Sequence, residues 1–180
     1  MTVRLKKTAI FTFGRFNPPT VGHKLLVDVM WQYNGDHYIF LSHTVNGKTD
    51  PLNYYVKKNF VEKFFPGMAV GDDSARTIIQ VMQKLEDLDY TDVVMIVGSD
   101  RVTNFDDLLN KYNGTEYKFD NVTVVSAGVR DPDGVGVSAV SASKQRQAVL
   151  VGDRAGFALG VPNAQYTEEL FMSVLEGLTK

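Results

Sequence analysis

Short apolar runs alternate with amphipathic segments along the chain, and this alternation constrains its fold more than any other feature. Residues 93–97 are apolar at every position, which is typical of a strand covered on both faces. Residues 75–88 instead place Ile78, Met82 and Leu85 at the spacing of one helical face. Strands joined by helices form parallel sheets with helices packed on both faces. The alternation therefore predicts an α/β fold of this kind.

Five runs predict the strands of the parallel sheet, and six segments predict the helices. The strands are expected at residues 8–13, 37–41, 68–70, 93–97 and 122–125. The helices are expected at residues 24–31, 53–64, 75–88, 101–109, 141–151 and 164–178, the last two being C-terminal helices beyond the sheet. No repeat, low-complexity segment or linker interrupts residues 1–180, which predicts a single domain. Ligands of open parallel sheets bind beyond the carboxyl ends of the strands, where the strand order reverses.

The composition excludes several classes of function. Because the chain has no cysteine, it forms no disulfide and uses neither thiolate chemistry nor a Cys-ligated metal centre. The formal net charge of −2 argues against broad nucleic-acid binding, which normally requires a basic surface. No apolar run is long enough to cross a membrane, and the amino terminus has no apolar signal core. We expect a cytoplasmic protein without nucleic-acid or membrane partners, either a monomer or a homo-oligomer.

The stretch between the first strand and the first helix, residues 14–23, has the composition of a phosphate-binding loop. Gly14 and Gly22 allow the backbone to approach a ligand closely. Thr20 can cap the helix and donate its hydroxyl to a phosphate, and His23 adds an imidazole on the first helical turn. A helix that begins here is expected to aim unpaired main-chain N–H groups and the positive end of its dipole at the loop. Taken alone, the same residues are also compatible with an ordinary tight turn.

A second motif lies near the other end of the chain, where residues 140–146 read Val-Ser-Ala-Ser-Lys-Gln-Arg. Ser141 can cap a helix, and Arg146 lies one turn further along that helix. Alone, this motif is also compatible with an ordinary helix start. In combination with the first motif, it indicates two halves of one triphosphate site.

Together the motifs resemble the HIGH-motif nucleotidyltransferase superfamily (cytidylyltransferase-like), whose signatures are G-x-F-x-P-x-[HT]-x-G-H and, much later, I-S-S-T-x-x-R. The first signature is met in full, at Gly14, Phe16, Pro18, Thr20, Gly22 and His23. In the second signature, Ser141 and Arg146 are in register, and the differences are the conservative replacements Val140, Ala142 and Ser143. The resemblance implies a Rossmann-like fold and the transfer of a nucleoside monophosphate from a triphosphate.

The opening Gly14-Arg15-Phe16 is most similar to the G-R-F-x-P branch, which holds archaeal-type nicotinamide mononucleotide adenylyltransferases and related bacterial and phage enzymes. Asn17 replaces the usual Gln of that branch, and Thr20 makes the loop similar to the pantetheine-phosphate adenylyltransferases. The resemblance favours transfer of AMP from ATP to nicotinamide or nicotinate mononucleotide, with release of pyrophosphate. Pantetheine phosphate as acceptor, glycerol phosphate with CTP, and a non-catalytic nucleotide-binding or structural protein of the same fold remain open alternatives.

Residue roles follow from what such a transfer requires. A phosphate-monoester acceptor, with a second pKa near ~6, is already an anion at neutral pH and needs no activating base. We expect Thr20 and His23 to act at the α-phosphate, and Arg146 with Arg15 to hold the β- and γ-phosphates. Mg²⁺ is expected to be carried on the nucleotide phosphates, without a protein metal site. The expected nucleotide-binding residues are Gly14, Arg15, Phe16, Asn17, Thr20, Gly22, His23, Gly98, Asp100, Arg130, Ser141, Ser143 and Arg146.

Loops beyond the second, fourth and fifth strands are expected to complete the site. The expected acceptor-binding residues are Ser42, Lys48 and Arg101. Arg130 is expected to bind phosphate, and residues 131–136 beyond it are expected to form a mobile lid. As alternatives, Asp100 is a helix cap and Lys48 is a solvated surface lysine.

Recognition of a nicotinamide ring is expected to involve an aromatic side chain. Members of the resembling family commonly stack this ring on a tryptophan beyond the fourth strand. The only tryptophan here is Trp31, on the predicted first helix, where we expect it to pack in the core. Phe105 is the expected substitute.

Overall fold

The computed structural model describes residues 2–128 and 140–180, so Arg130 and the expected lid at residues 131–136 lie outside the described residues. The strands are β1 (Thr8–Gly14), β2 (Asp36–Leu41), β3 (Ala69–Val70), β4 (Asp92–Val97) and β5 (Asn121–Ser126). The helices are α1 (Val21–Met30), α2 (Tyr54–Phe64), α3 (Ile78–Asp87), α4 (Val102–Tyr112), α5 (Ala142–Leu150), α6 (Arg154–Ala158) and α7 (Thr167–Leu178). The predicted five-stranded α/β architecture with C-terminal helices is confirmed.

The five strands form one sheet in the order β3-β2-β1-β4-β5, and every neighbouring pair is parallel. Chain connections run from β1 outward through β2 and β3, and then return to β4 on the other side of β1. The strand order therefore reverses between β1 and β4, and a crevice opens there beyond the carboxyl ends of the strands. Gly14, at the end of β1, and Val97, at the end of β4, flank this crevice.

Two apolar layers cover the sheet, one on each face. Ile10 of β1 faces a cluster that includes residues of α1, α2, α5, α6 and α7. Its neighbour Phe11 faces the opposite cluster, which includes residues of α3 and α4. Because successive strand residues point to opposite faces, a strand with helices on both sides must be apolar at consecutive positions. This packing explains the continuous apolar run of β4 and confirms the Rossmann-like arrangement.

Local capping explains where helix α3 begins. The segment predicted from residue 75 becomes helical only at Ile78, because the Thr77 side chain accepts a hydrogen bond from the Gln80 N–H and caps the helix. The five-residue helix α6 was not predicted, since it is too short to show a helical period.

Among the helices of the described residues, none has the length and apolar character needed to cross a membrane.

The prediction that Trp31 packs in the core is wrong. Helix α1 ends at Met30, and Met30 is the fully buried residue at this end of the helix. Trp31 is the C-cap residue, is 49% exposed, and lies against the His37 ring with a centroid distance of 4.5 Å. One residue after the last inward position, a helix turns its side chain by about 100° away from the core.

Candidate active site

The two sequence motifs meet beyond β1, although they lie near opposite ends of the chain. The guanidinium Nη1 of Arg146 donates a hydrogen bond to the main-chain oxygen of Asn17 at 2.9 Å. Gly22 lies so close to the second motif that an added Cβ would be 3.0 Å from the main-chain oxygen of Val140. A side chain at position 22 would have to push this oxygen away by a few tenths of an ångström, so glycine favours the close contact between the two motifs.

Thr20 and His23 cap the start of α1 reciprocally. The Thr20 hydroxyl accepts a hydrogen bond from the Gly22 N–H at 3.1 Å, and the Thr20 N–H donates to His23 Nδ1 at 2.9 Å. The predicted capping role of Thr20 is confirmed. Because His23 Nδ1 accepts a hydrogen bond, the neutral imidazole carries its proton on Nε2. His23 can thus supply an N–H donor whose orientation is fixed by the helix cap.

The expectation of unpaired main-chain N–H groups at the start of α1 is wrong for its first three residues, since the N–H of His23 also donates, to the carbonyl of Thr20 at 3.0 Å. The Val21 N–H donates to the carbonyl of Gly160 at 2.9 Å, and the Gly22 N–H donates to Thr20. Gly160 follows α6, so a residue distant in the sequence accepts the hydrogen bond from the Val21 N–H. An anion at this helix end must therefore be held mainly by side chains and by the helix dipole.

Phe16 packs its ring against the His23 imidazole. Its ring stacks on the imidazole with a centroid distance of 4.1 Å and an interplanar angle of 22°, and its side chain is buried. Phe16 has a φ of +48°, which costs energy in a residue with a large side chain and is tolerated only where the surroundings impose it. Gly14 contributes to this arrangement, because a Cβ on Gly14 would lie 3.3 Å from the Phe16 ring.

Asn17 ties the first motif to the loop beyond β2. Its side-chain amide donates to the carbonyl of Leu52 at 2.9 Å and accepts from the Leu52 N–H at 2.9 Å. The side chain is buried and both of its polar ends are engaged in this pair. Sequence analysis expected Asn17 to contact the nucleotide. Its side chain is instead paired with Leu52 and fixes the first motif relative to the loop beyond β2.

Lys57 of α2 is a fully buried lysine that joins the same two loops. Its ammonium donates to the carbonyl of Arg15 at 2.7 Å, to the carbonyl of Ser42 at 2.6 Å and to the Ser42 hydroxyl at 3.2 Å. Burial lowers the pKa of Lys57 to about 8, against the opposing effect of Asp50. Sequence analysis did not assign Lys57 to the site. The signal that could have found it is its helical spacing from the buried Tyr54 and Phe60.

Two arginines bring positive charge to this end of the sheet. The Arg15 side chain is 68% exposed, and its Nη1 lies 3.6 Å from the buried carboxylate of Asp50. Arg146 is partly buried, and burial lowers its pKa while Asp50 acts in the opposite direction. Ser141 caps α5 by accepting a hydrogen bond from the Lys144 N–H at 3.1 Å, whereas Ser143 is exposed on the first turn. The arginines and the start of α5 together form a positively polarised surface.

A shallow cavity of about 400 Å³, open to solvent, lies along one face of the 3₁₀ turn and α4 that follow β4, on the other side of the strand reversal. Gly98 begins a 3₁₀ turn at Ser99–Arg101, and the Arg101 N–H donates to its carbonyl at 3.0 Å. The cavity is lined by Asp100, Arg101, Asn104, Phe105 and Leu108. It therefore presents one aromatic ring, a guanidinium, a carboxylate and an amide to a ligand.

Lys48 lies in the loop beyond β2, on the opposite side of the crevice from Arg101. It is exposed, and its main-chain N–H donates to Asn46 Oδ1 at 3.0 Å. Ser42 lies deeper, at the end of β2, where its N–H donates to the carbonyl of Gly14 at 2.9 Å. Within residues 2–128 and 140–180, no group of three or more His, Asp or Glu side chains could hold a metal ion.

The fold is similar to that of nicotinate-nucleotide adenylyltransferases. A Vibrio parahaemolyticus protein assigned to that activity matches with a TM-score of 0.62 and 17% identity, over 92% of this chain and 99% of that chain. The Plasmodium falciparum nicotinic acid mononucleotide adenylyltransferase complexed with NaAD matches with a TM-score of 0.60 and 13% identity, over 92% and 95% of the two chains. The same enzyme complexed with APC matches with a TM-score of 0.58 and 14% identity, over 92% of this chain and 94% of that chain.

No protein-family model and no curated protein sequence matches this chain. At identities this low, structural likeness shows the shared fold and leaves the activity to be argued from the site. The likeness extends over 92% of this chain.

Proposed function

We propose that this chain transfers AMP from ATP to nicotinate mononucleotide and releases pyrophosphate. The observation that carries the proposal is the contact between the two motifs, in which Arg146 binds the carbonyl of Asn17 beside the His23 cap. This contact supports a nucleotide site at the point of strand reversal, where open α/β sheets bind nucleotides, because it joins the motif that carries the guanidinium to the motif that carries the imidazole. The fold neighbours support the proposal, since one of them was solved with NaAD, the dinucleotide that this transfer forms.

In the proposed reaction, an oxygen of the acceptor phosphate attacks the α-phosphorus of ATP. A new P–O bond forms there, the bond between the α-phosphorus and the bridging oxygen breaks, and pyrophosphate leaves with the electron pair. No residue needs to remove a proton, because the attacking phosphate is already an anion. The protein instead aligns the reactants and stabilises the charge that develops on the α-phosphate.

His23 is assigned the donor role at the α-phosphate. Because Nδ1 accepts from the Thr20 N–H, the neutral imidazole carries its proton on Nε2, and stacking on Phe16 fixes the plane of the ring. A donor held in this way needs no reorganisation when charge builds up in the transition state. Thr20 contributes by fixing His23, since its side chain is buried.

Arg15 and Arg146 are assigned to the β- and γ-phosphates, which become the leaving pyrophosphate. A guanidinium can bind two phosphate oxygens through parallel N–H groups of one planar fork, a geometry that a lysine lacks. Ser141 and Ser143 lie at the start of α5, where the helix dipole also favours phosphate. Mg²⁺ would be carried on the nucleotide phosphates with its own waters, and when bound it would neutralise part of their charge.

The cavity beyond β4 is assigned to the ring of the acceptor. Phe105 offers an aromatic face for stacking, and Arg101 offers a cation for the carboxylate of nicotinate. The same cation gives no such pairing to the neutral amide of nicotinamide. We therefore expect nicotinate mononucleotide to be preferred over nicotinamide mononucleotide.

A substrate panel tests the proposal. ATP and CTP are each combined with nicotinate mononucleotide, nicotinamide mononucleotide, pantetheine phosphate or glycerol phosphate, and pyrophosphate release is followed. The highest kcat/KM is expected for ATP with nicotinate mononucleotide. Higher activity with another acceptor would reassign the substrate, and nucleotide binding without pyrophosphate release from any pair would support a non-catalytic protein of this fold.

A further inference from the structure

Asp50 is a buried carboxylate in the loop beyond β2. Its side chain is only 1% exposed. Its Oδ2 accepts hydrogen bonds from the Thr49 hydroxyl at 2.7 Å and from the Asn46 amide at 3.1 Å. Its Oδ1 is buried and makes no hydrogen bond with any of the described residues. A buried charge with an unsatisfied oxygen is unfavourable unless cations compensate it or function requires it.

The cations near Asp50 are those of the candidate active site. Arg15 lies within ion-pair distance, at 3.6 Å. The ammonium of Lys57 is bonded to the main-chain oxygen of the same arginine at 2.7 Å. Arg146 is bonded to Asn17, whose side-chain amide is in turn paired with Leu52, two residues beyond Asp50. One carboxylate is therefore linked, directly or through short hydrogen-bonded paths, to three cations.

We propose that Asp50 is a positioning residue that holds Arg15, and the loop bound by Arg146, in the geometry that the triphosphate requires. This inference rests on the nucleotidyltransferase function proposed above and adds a residue that touches neither substrate. An arginine that is 68% exposed has many rotamers, and a fixed counter-ion restricts them before the nucleotide binds.

The charge of Asp50 also acts on the two cations beyond Arg15. Burial lowers the pKa values of both Lys57 and Arg146, and Asp50 opposes that shift, whereas Arg15 adds to it. The same negative charge also repels a polyphosphate bound to the arginines, and this repulsion exceeds the gain in affinity from an ion pair to an exposed arginine, which is small. Asp50 should therefore improve alignment in the transition state and weaken ground-state binding of the phosphates, two effects that kcat and Kd separate.

The test compares Asp50→Asn with wild type and with Asp28→Asn. Asp28 is an exposed residue of α1 that pairs with Lys24, so its substitution removes the same charge away from the arginines. Inorganic tripolyphosphate, titrated calorimetrically, is expected to bind Asp50→Asn about three- to tenfold more tightly than wild type, because a like charge has been removed. With ATP and nicotinate mononucleotide, kcat of this variant is expected to fall by at least about tenfold, because alignment is lost. Asp28→Asn should change neither value.

Unchanged or weaker binding of tripolyphosphate by Asp50→Asn would overturn the proposal, as would an unchanged kcat. Asp50→Glu serves as a second variant if Asp50→Asn does not fold. It retains the charge, so its tripolyphosphate Kd should stay within about twofold of wild type. A larger change in that Kd would contradict the assignment. A wild-type protein that releases no pyrophosphate would remove the proposed function, while the tripolyphosphate titrations would still decide whether Asp50 controls the charge of this site.

Discussion

Arg146 on α5 donates from Nη1 to the main-chain oxygen of Asn17 at 2.9 Å, in the loop that follows β1. The guanidinium has further N–H groups, so this bond fixes the side chain and leaves donors for a phosphate. The same residue thus orders the first motif and brings positive charge to it. A lysine at this position would keep the charge but would lack the planar fork that bonds the Asn17 oxygen and binds a phosphate in a fixed geometry.

We therefore predict that Arg146→Lys impairs use of the triphosphate. The expected result is a rise in the KM for ATP together with a fall in kcat, by about tenfold or more in kcat/KM, because bidentate geometry is lost. Arg154→Lys is the matched control, since Arg154 lies on α6 and pairs with Glu168 at the surface. Wild-type kcat and KM values in Arg146→Lys would show that the second motif only begins a helix and does not bind the triphosphate.

Phe16→Leu tests whether stacking on the imidazole supports catalysis. Leucine keeps an apolar side chain in this buried position but removes the ring contact with His23. A stacked pair contributes about 0.5–1.5 kcal/mol, so kcat should fall by about two- to tenfold with little change in the KM for ATP. Phe60→Leu, in the core on α2, is the control: it should lower stability without this kinetic effect. Equal kcat values for Phe16→Leu and wild type would remove the supporting role.

The strands of this protein could be predicted because their burial is encoded locally. The fully apolar run of β4 and the glycine that ends β1 are features of short segments, and the structure places both as expected. The first motif was recognisable for the same reason. Its Thr20 cap depends only on the residues of one helical turn.

Contacts between distant segments could not be predicted from the sequence. The Gly160 carbonyl that occupies the Val21 N–H belongs to another part of the chain. Lys57 shares the buried face of α2, but the carbonyls of Arg15 and Ser42 that accept from its ammonium come from two loops distant in the sequence. Asp50 is a loop carboxylate, and its burial likewise depends on the tertiary structure. Their burial emerges from the tertiary structure, which brings the necessary partners together.

Lys57 should make stability depend on pH in the alkaline range. Its pKa in the folded protein is about 8, below the ordinary lysine value of 10.5. Between these values the unfolded chain binds the extra proton, so the contribution of Lys57 to the free energy of unfolding should increase as pH rises, by at most about 1.4 kcal/mol per pH unit. Below pH 8 both states are protonated and the contribution is constant.

Urea unfolding of wild type and Lys57→Met between pH 7 and pH 10 measures this effect. The stability of wild type relative to the variant should rise over the upper half of that range. Lys58→Met, at a partly exposed neighbouring position, should give a curve parallel to that of wild type. Parallel curves for wild type and Lys57→Met would contradict the lowered pKa.

Lys48 and Arg101 test the placement of the acceptor on the two sides of the crevice. If they hold the acceptor equally in the ground and transition states, replacing either with Ala should raise the KM for nicotinate mononucleotide and leave the KM for ATP nearly unchanged. Arg101 lines the cavity beyond β4, whereas Lys48 lies in the exposed loop beyond β2. An unchanged KM for nicotinate mononucleotide in both variants would show that Lys48 and Arg101 are solvated cations and would exclude them from the acceptor site.

Direct detection of the dinucleotide product tests the central claim. Purified wild-type protein is incubated with Mg²⁺, ATP and nicotinate mononucleotide, and the products are identified by mass spectrometry beside a His23→Ala sample. The account predicts equimolar nicotinate adenine dinucleotide and pyrophosphate from wild type, and a kcat lower by about 10²–10³ in His23→Ala, the loss typical of one transition-state donor. No dinucleotide from wild type, or equal rates in the two proteins, would contradict it.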